Sequence, residues 1–134
     1  MSRSNYTNED ENNTLGLWRG AVGKALNGAR GQVLLKDIVT ALDAMPVKEL
    51  VAESLVDPAG AFCTLGAAGY ARGIDVANLD PYDIKKVAKV FNVAPAMIRE
   101  IVFTNDEGYW WATGESTKQR WTRMRAWAAK RIKE

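Results

Sequence analysis

The sequence predicts an all-α protein: a compact single-domain bundle of about six or seven short helices behind a disordered polar N-terminal tail. Three observations carry that expectation. Apolar residues recur three and four positions apart along most of the chain, as in Leu17, Trp18, Ala21, Val22, Ala25 and Leu26, which is the spacing of one helix face. No segment alternates apolar and polar residues over the length of a strand, as a half-buried strand does. Asp-Pro, Asn-Gly and Pro punctuate the apolar stretches at short intervals, where helices start and stop. Across 134 residues, 47% apolar with five Trp, the chain can bury a core without disulfide staples and is too hydrophobic for disorder.

Residues 1–14 read as the flexible tail, rich in Asn, Glu, Asp, Ser and Thr, with almost nothing to bury. Residues 15–134 form the single helical domain. Thr14 is a candidate cap for the first helix, which "NGARG" at 27–31 breaks. A second helix carries the stripe Val33, Leu34, Ile38, Ala41, Leu42 and Met45 and stops at Pro46. Proline also suits a first helical turn, so "PVKELVAESLV" reads as a third helix. Asp57-Pro58 then reads as the start of a Gly- and Ala-rich helix through "GAFCTLGAAGYARG", with Gly73 as its C-terminal cap. Glycine inside a helix costs about 1 kcal/mol against alanine. So many small residues imply a central helix packed at short distance. "NLDPYD" opens the next helix, with Asp80 as cap and Pro81 first, running to about Phe91. Asn92-Val93 turns the chain, Pro95 starts "PAMIREIVF", and "TNDEG" is a turn. "YWWATGE" is short and aromatic, and an extended conformation is the expectation for it. Ser116 or Thr117 caps the last helix, to about Ile132.

Several chemistries are excluded. The chain has no histidine, which removes Ser-His-Asp and Cys-His catalysis and His-ligated zinc. The single cysteine, Cys63, forms no internal disulfide and no Cys₄ site; with Phe62 and Leu65 around it, it reads as a buried structural thiol. No phosphate-binding loop or dinucleotide fingerprint is present. Carboxylates remain. Glu49 and Glu53 fall four apart on one face of the expected third helix; Asp75, Asp80 and Asp83 gather near a helix start; Asp106 and Glu107 sit in a turn. Solvated faces, caps and turns account for such residues. The expectation is therefore a protein that is not an enzyme and takes no metal and no cofactor. No apolar run approaches the length of a membrane span, and residues 1–30 hold no secretory signal. A reducing cytoplasm is the expected location, with no membrane partner.

Two stretches suggest binding. In "VAKVFNVAPAMIREI", Ala88, the Asn92-Val93 corner, Ile98 and Ile101 fall where a helix-turn-helix wants a small residue, a tight turn and two core aliphatics. A base-reading helix needs donors at its exposed start. Here those positions are Ala94, Pro95, Ala96, Arg99 and Glu100, of which only Arg99 can pair with guanine. "GARG" at 28–31, with Lys24 and Arg30 nearby, resembles a phosphate clamp but lacks the sheet that module requires. The last helix is the stronger surface. Trp121, Met124, Ala128 and Ile132 share a core stripe, and Arg120, Arg123, Trp127, Lys130 and Arg131 share the neighbouring face. With Trp110 and Trp111 just upstream, this face combines the side chains most enriched in protein interfaces. The basic C-terminal end contrasts with an acidic tail carrying Glu9, Asp10 and Glu11, so an acidic partner is expected: nucleic acid, another protein or the chain's own tail.

Taken together, "WRGAV", "RGQVLL", "ALDAMP", "CTLGAAGYARGID", "VAKVFNVAPA", "EIVFTNDE" and "RWTRMRAW" resemble a group of small uncharacterised proteins encoded by bacteriophages and prophages of proteobacteria. The pieces span roughly residues 18–132. The group carries Gly-Ile-Ala and Leu-Ala where this chain has "NVAPAMI". The resemblance implies a small protein acting in the host cytoplasm by binding and brings no catalytic residue with it. The expected function is engagement of a host protein, such as a defence-system component, that is inhibited or redirected through Trp110, Trp111, Arg120, Arg123, Trp127, Lys130 and Arg131. The alternative is a nucleic-acid-binding regulator using the helix pair at 82–103 with Arg99, Lys24 and Arg30.

Overall fold

The computed structural model describes residues 14–107 and 114–133, without the side chains of residues 14–18. The expected tail before Thr14, and Trp110 and Trp111 of the aromatic stretch, lie outside the described residues. Among the described residues six helices follow in order: α1 (Thr14–Asn27), α2 (Ala29–Ala44), α3 (Thr64–Ala71), α4 (Ile84–Phe91), α5 (Pro95–Asp106) and α6 (Thr117–Arg131), with a short 3-10 turn at Val76–Asn78. No strand occurs among the described residues, only one antiparallel bridge between Val56 and Phe62. α2 packs on α3 and α6, while α5 packs on α1, α3 and α4. Leu34, Leu35, Ile38, Leu42, Leu65, Phe91, Ile98, Ile101 and Met124 fill the shared interior.

α1 and α2 are separated by Gly28, whose extended backbone interrupts the helix. They then cross at backbone distance: a Cβ built on Gly31 would stand 2.0 Å from the Ala25 carbonyl oxygen. The α2 stripe differs from expectation at one position. Val33 is 55% exposed, and Leu35 is buried in its place. The phase is set by Leu34, Ile38, Ala41 and Leu42, and Val33 falls about 100° to the side of Leu34.

Residues 46–56, expected as a helix, are irregular. Both Leu50 and Leu55 are buried. Five residues apart on a helix they would point about 140° from one another, so a surface helix would bury only one. The backbone instead finds distant partners: Leu50 N–H donates to the Thr117 carbonyl at 3.0 Å, and Val51 N–H to the Phe62 carbonyl at 2.9 Å. Glu53 takes a left-handed φ of 66°, and its N–H donates to the Asp106 carboxylate at 3.0 Å. Glu49 and Glu53 therefore do not share a helix face.

Asp57 does not start a helix. Its carboxylate accepts from the N–H groups of Ala59 and Ala61 and folds a tight loop. α3 begins later, at Thr64, where the Cys63 sulfur accepts from the Gly66 N–H. This helix is shorter than expected but central: Thr64 to Gly69 are all buried. Its small residues have the anticipated cause. A Cβ on Gly66 would lie 1.8 Å from the Leu55 carbonyl oxygen. Gly73, with φ +79°, ends the helix. The Gly73 N–H donates to the Tyr70 carbonyl and the Ile74 N–H to the Gly69 carbonyl, the paired bonds of a left-handed helix stop.

α4 starts one turn beyond expectation. Asp83, not Asp80, is its cap and accepts from the Lys86 N–H; Asp80 holds the preceding turn through the Tyr82 N–H. α4 ends at Phe91, followed by left-handed Asn92, and Pro95 opens α5. α5 runs three residues beyond Phe103, through the segment expected to turn, because Asn105 is tied into the core. Its carboxamide oxygen accepts from the Thr64 N–H at 3.1 Å and hydroxyl at 2.8 Å, and its NH₂ donates to the Val51 carbonyl at 3.0 Å. Ser116 caps α6 in a reciprocal capping box with Gln119.

Candidate functional site

The α6 face divides into two parts. Arg120 and Arg123 point inward to the end of α5, whose last carbonyls have no partner within the helix. Arg120 Nε donates to the Asn105 carbonyl at 3.0 Å and its Nη1 to the Leu50 carbonyl at 3.2 Å. Arg123 Nη1 donates to the Thr104 carbonyl at 2.6 Å. Arg123 also grips Glu115 with Nε at 2.6 Å and Nη2 at 2.9 Å. Those hydrogen bonds, aided by the charges of Arg123 and Arg120, hold the Glu115 carboxyl below the usual carboxylate range against the opposing effect of burial. Arg120 and Arg123 thus lock α6 to α5, and Arg120 offers little to a partner.

The second part is open. Thr104, Arg123, Ala126, Trp127, Lys130 and Arg131 line a groove of about 420 Å³. The Arg131 guanidinium lies 4.5 Å from the Trp127 ring centroid, and its Nη1 donates to the Trp127 carbonyl at 3.0 Å. A guanidinium held over an indole face is stabilised by the ring quadrupole. Trp127, expected on the face beside the core stripe, is only 9% exposed and serves as the floor beneath Arg131. Its i−3 and i+1 neighbours on the helix explain this: Met124 and Ala128 are fully buried and carry Trp127 inward with them. Lys130 is exposed at the edge. Neither Lys130 nor Arg131 has an acidic partner among the described residues. Four of the seven expected partner-binding residues therefore meet at one groove, Arg120 turns away, and Trp110 and Trp111 lie outside the described residues.

The helix pair has the anticipated shape. Val87, Ala88, Phe91, Val93, Ile98 and Ile101 are all buried, and left-handed Asn92 makes the corner. The second helix is enclosed, however. Of the twelve residues of α5 only Pro95 is exposed; Arg99 and Glu100 are half-buried, with α1 against one side. A recognition helix presents a face to the groove it enters, and α5 has none to present. Lys24 and Arg30 are exposed near the α1–α2 break, where Arg30 Nη1 donates to the Asn92 side-chain oxygen at 3.4 Å. Arg99 is not brought together with them on an open surface.

Two features escaped the sequence reading. Asn105 is a buried polar hub, and only its position after "FT" in an expected turn hinted at anything other than solvent. The other is an apolar hollow between the end of α2 and α3, lined in part by Glu49, Phe62 and Tyr70; alanine-rich helix faces were its one visible signal. Among the described residues, no three Cys, Asp or Glu lie together as metal ligands, and no helix is long and apolar enough to cross a membrane. No protein-family model matches the chain, and neither a curated protein nor a solved structure does.

Proposed function

We propose that this chain is a non-enzymatic binding protein of phage or prophage type, acting in the host cytoplasm, that engages a host protein through the groove on α6 and inhibits or redirects it. A defence-system component is the kind of target the reading has in view. The observation that carries it is the Arg131 guanidinium set over Trp127 beside exposed Lys130. Trp and Arg dominate the residues that carry interface energy, and a cationic rim without internal acid partners selects an acidic face on the partner. Absence of histidine from the chain and use of Cys63 as a buried helix cap support the non-enzymatic part of the reading. The enclosure of α5 makes the nucleic-acid alternative the weaker of the two.

The test is capture of partners from host lysate, with and without nuclease, using the parent chain and the double variant Lys130→Glu, Arg131→Ala. Both positions lie on the outer side of α6, so the fold is expected to persist, checked by circular dichroism. Partner capture that survives nuclease and falls at least about fivefold in the variant supports the reading, since hot-spot losses exceed about 1 kcal/mol. Capture that disappears with nuclease supports the regulator instead, and undiminished capture by a folded variant removes the groove from consideration.

A further inference from the structure

Between the C-terminal end of α2, the turn that follows it, the 60–62 loop and α3 lies an open hollow of about 460 Å³, within the range of small-molecule sites, about 300–1,000 Å³. It exists because its floor is built from alanines. Ala41 and Ala44 of α2 meet Ala67 and Ala71 of α3 there, and methyl groups leave space that larger side chains would fill. One wall is aromatic. Phe62 is fixed by its bridge to Val56 and by the Val51 N–H on its carbonyl, and its ring lies 5.2 Å from that of Tyr70 between centroids. Tyr70 is 69% exposed, and Val47, on another wall, is 56% exposed. Apolar side chains left in water around a concavity are the usual mark of a binding site.

Glu49 is the single charged residue among the residues lining this hollow. Its Oε1 accepts from the Thr117 hydroxyl at 2.7 Å, which orients the carboxylate, and no cation pairs with it among the described residues. Adjacent Lys48 makes no ion pair with Glu49: its ammonium donates to the Asp43 and Met45 carbonyls at the end of α2 and lies 5.6 Å from the Trp121 ring centroid. An unneutralised carboxylate and a pair of aromatic faces share one apolar hollow. Both attract positive charge, and neither favours an anion. We propose that this hollow binds a small hydrophobic organic cation, an aromatic or alicyclic amine, with its apolar body on the alanine floor and its ammonium at Glu49. The site is separate from the α6 groove and does not depend on it.

The experiment titrates the full chain with three probes of one shape, phenylpropylamine, phenylpropanol and phenylpropanoate, followed by NMR at Ala67, Ala71 and Tyr70. Saturable binding of the amine is expected, about tenfold tighter than that of the alcohol, the scale of one added charge contact, with weaker binding still of the carboxylate. Glu49→Gln should bring amine and alcohol to similar affinity. Ala71→Trp, at an exposed helix position, should fill the hollow and abolish binding of all three while the melting temperature holds. Should Glu49→Gln fail to fold, the parent's amine-to-alcohol ratio and the Ala71→Trp variant still decide. Equal affinity for amine and alcohol, saturation absent up to millimolar amine, or binding unaffected by Ala71→Trp would each overturn the proposal.

Discussion

Replacing Asn105 with leucine removes four hydrogen bonds while changing side-chain volume little. The carboxamide bonds the Thr64 N–H, the Thr64 hydroxyl, the Val51 carbonyl and the Asp106 carboxylate, and Asn105 and Thr64 are both fully buried. A buried polar group left without a partner costs about 1–3 kcal/mol. The Thr64 N–H has no other acceptor in reach, because it opens α3 and points away from the helix. The Thr64 hydroxyl can rotate, the half-buried Val51 carbonyl retains access to water, and leucine regains about 1 kcal/mol of apolar burial. The net loss expected is about 3–5 kcal/mol, a large share of a total stability of roughly 5–15 kcal/mol. Asn105→Asp is the informative control. It keeps the acceptor for Thr64 but loses the donor to Val51 and sets a carboxylate against Asp106, so it should also destabilise, with a strong dependence on pH. Urea unfolding monitored by tryptophan fluorescence measures both. A leucine variant within about 1 kcal/mol of the parent, inside the ordinary range of point substitutions, would refute the assignment of Asn105 as the tie between α5, α3 and the 50–56 segment.

Gly69→Leu should cost several kcal/mol, since a Cβ there already stands 2.5 Å from Val76 Cγ1 and 3.0 Å from Phe91 Cζ and overpacking alone costs about 1–3 kcal/mol; a melting temperature within a degree or two of the parent would place Gly69 outside the packed crossing. Glu115 should make stability acid-sensitive. Its folded pKa lies below its ordinary value of 4.5, so its contribution is fully present above that value and fades as pH falls through the lower folded one. Glu115→Gln should flatten that part of the acid unfolding curve; an unchanged curve would dismiss the Arg123–Glu115 contact as a source. Arg123→Ala should lower stability by about 1–3 kcal/mol, because the Thr104 carbonyl loses its charge-assisted donor and Glu115 keeps only Arg120, at 3.4 Å; a stable variant that loses only partner binding would reverse the structural role given to Arg123.

Helix class, the start of α5 at Pro95, the Asn92 corner, the Gly73 stop and the Ser116 cap were legible in the sequence because each depends on a few neighbouring residues. Proline at a first helical position, glycine at a positive φ and serine below a helix start carry their own local energetics. The small residues of α3 also spoke locally: a helix that spends glycines must meet another backbone, and Leu55 supplies it at Gly66. The segment 46–56 shows the opposite case. Its composition and leading proline suit a helix, yet Thr117, Arg120 and Asn105, all more than fifty positions away, satisfy its backbone, and Leu50 and Leu55 both reach the core. Local propensity amounts to tenths of a kcal/mol per residue, which a few long-range hydrogen bonds and two buried leucines outweigh.

The charged and aromatic face of α6 divides in the same way. That Trp and Arg cluster on α6 follows from a spacing of three and four residues and nothing more. Which of them stay at the surface depends on where α5 ends, since the orphan carbonyls of Thr104 and Asn105 draw Arg123 and Arg120 inward and leave Lys130 and Arg131 outside. The helix pair at 84–106 likewise has every core residue its pattern requires, while the packing of α1, α3 and α4 around α5 removes the open face a reading helix needs. The sequence by itself determined the helical class, the start of α5 at Pro95, the corner at Asn92, the stop at Gly73 and the cap at Ser116, because those are set within a turn or two of each residue. Only the tertiary structure decided which charges are spent on the fold and which remain at the surface, because a hydrogen bond across dozens of residues leaves no periodic trace in the chain.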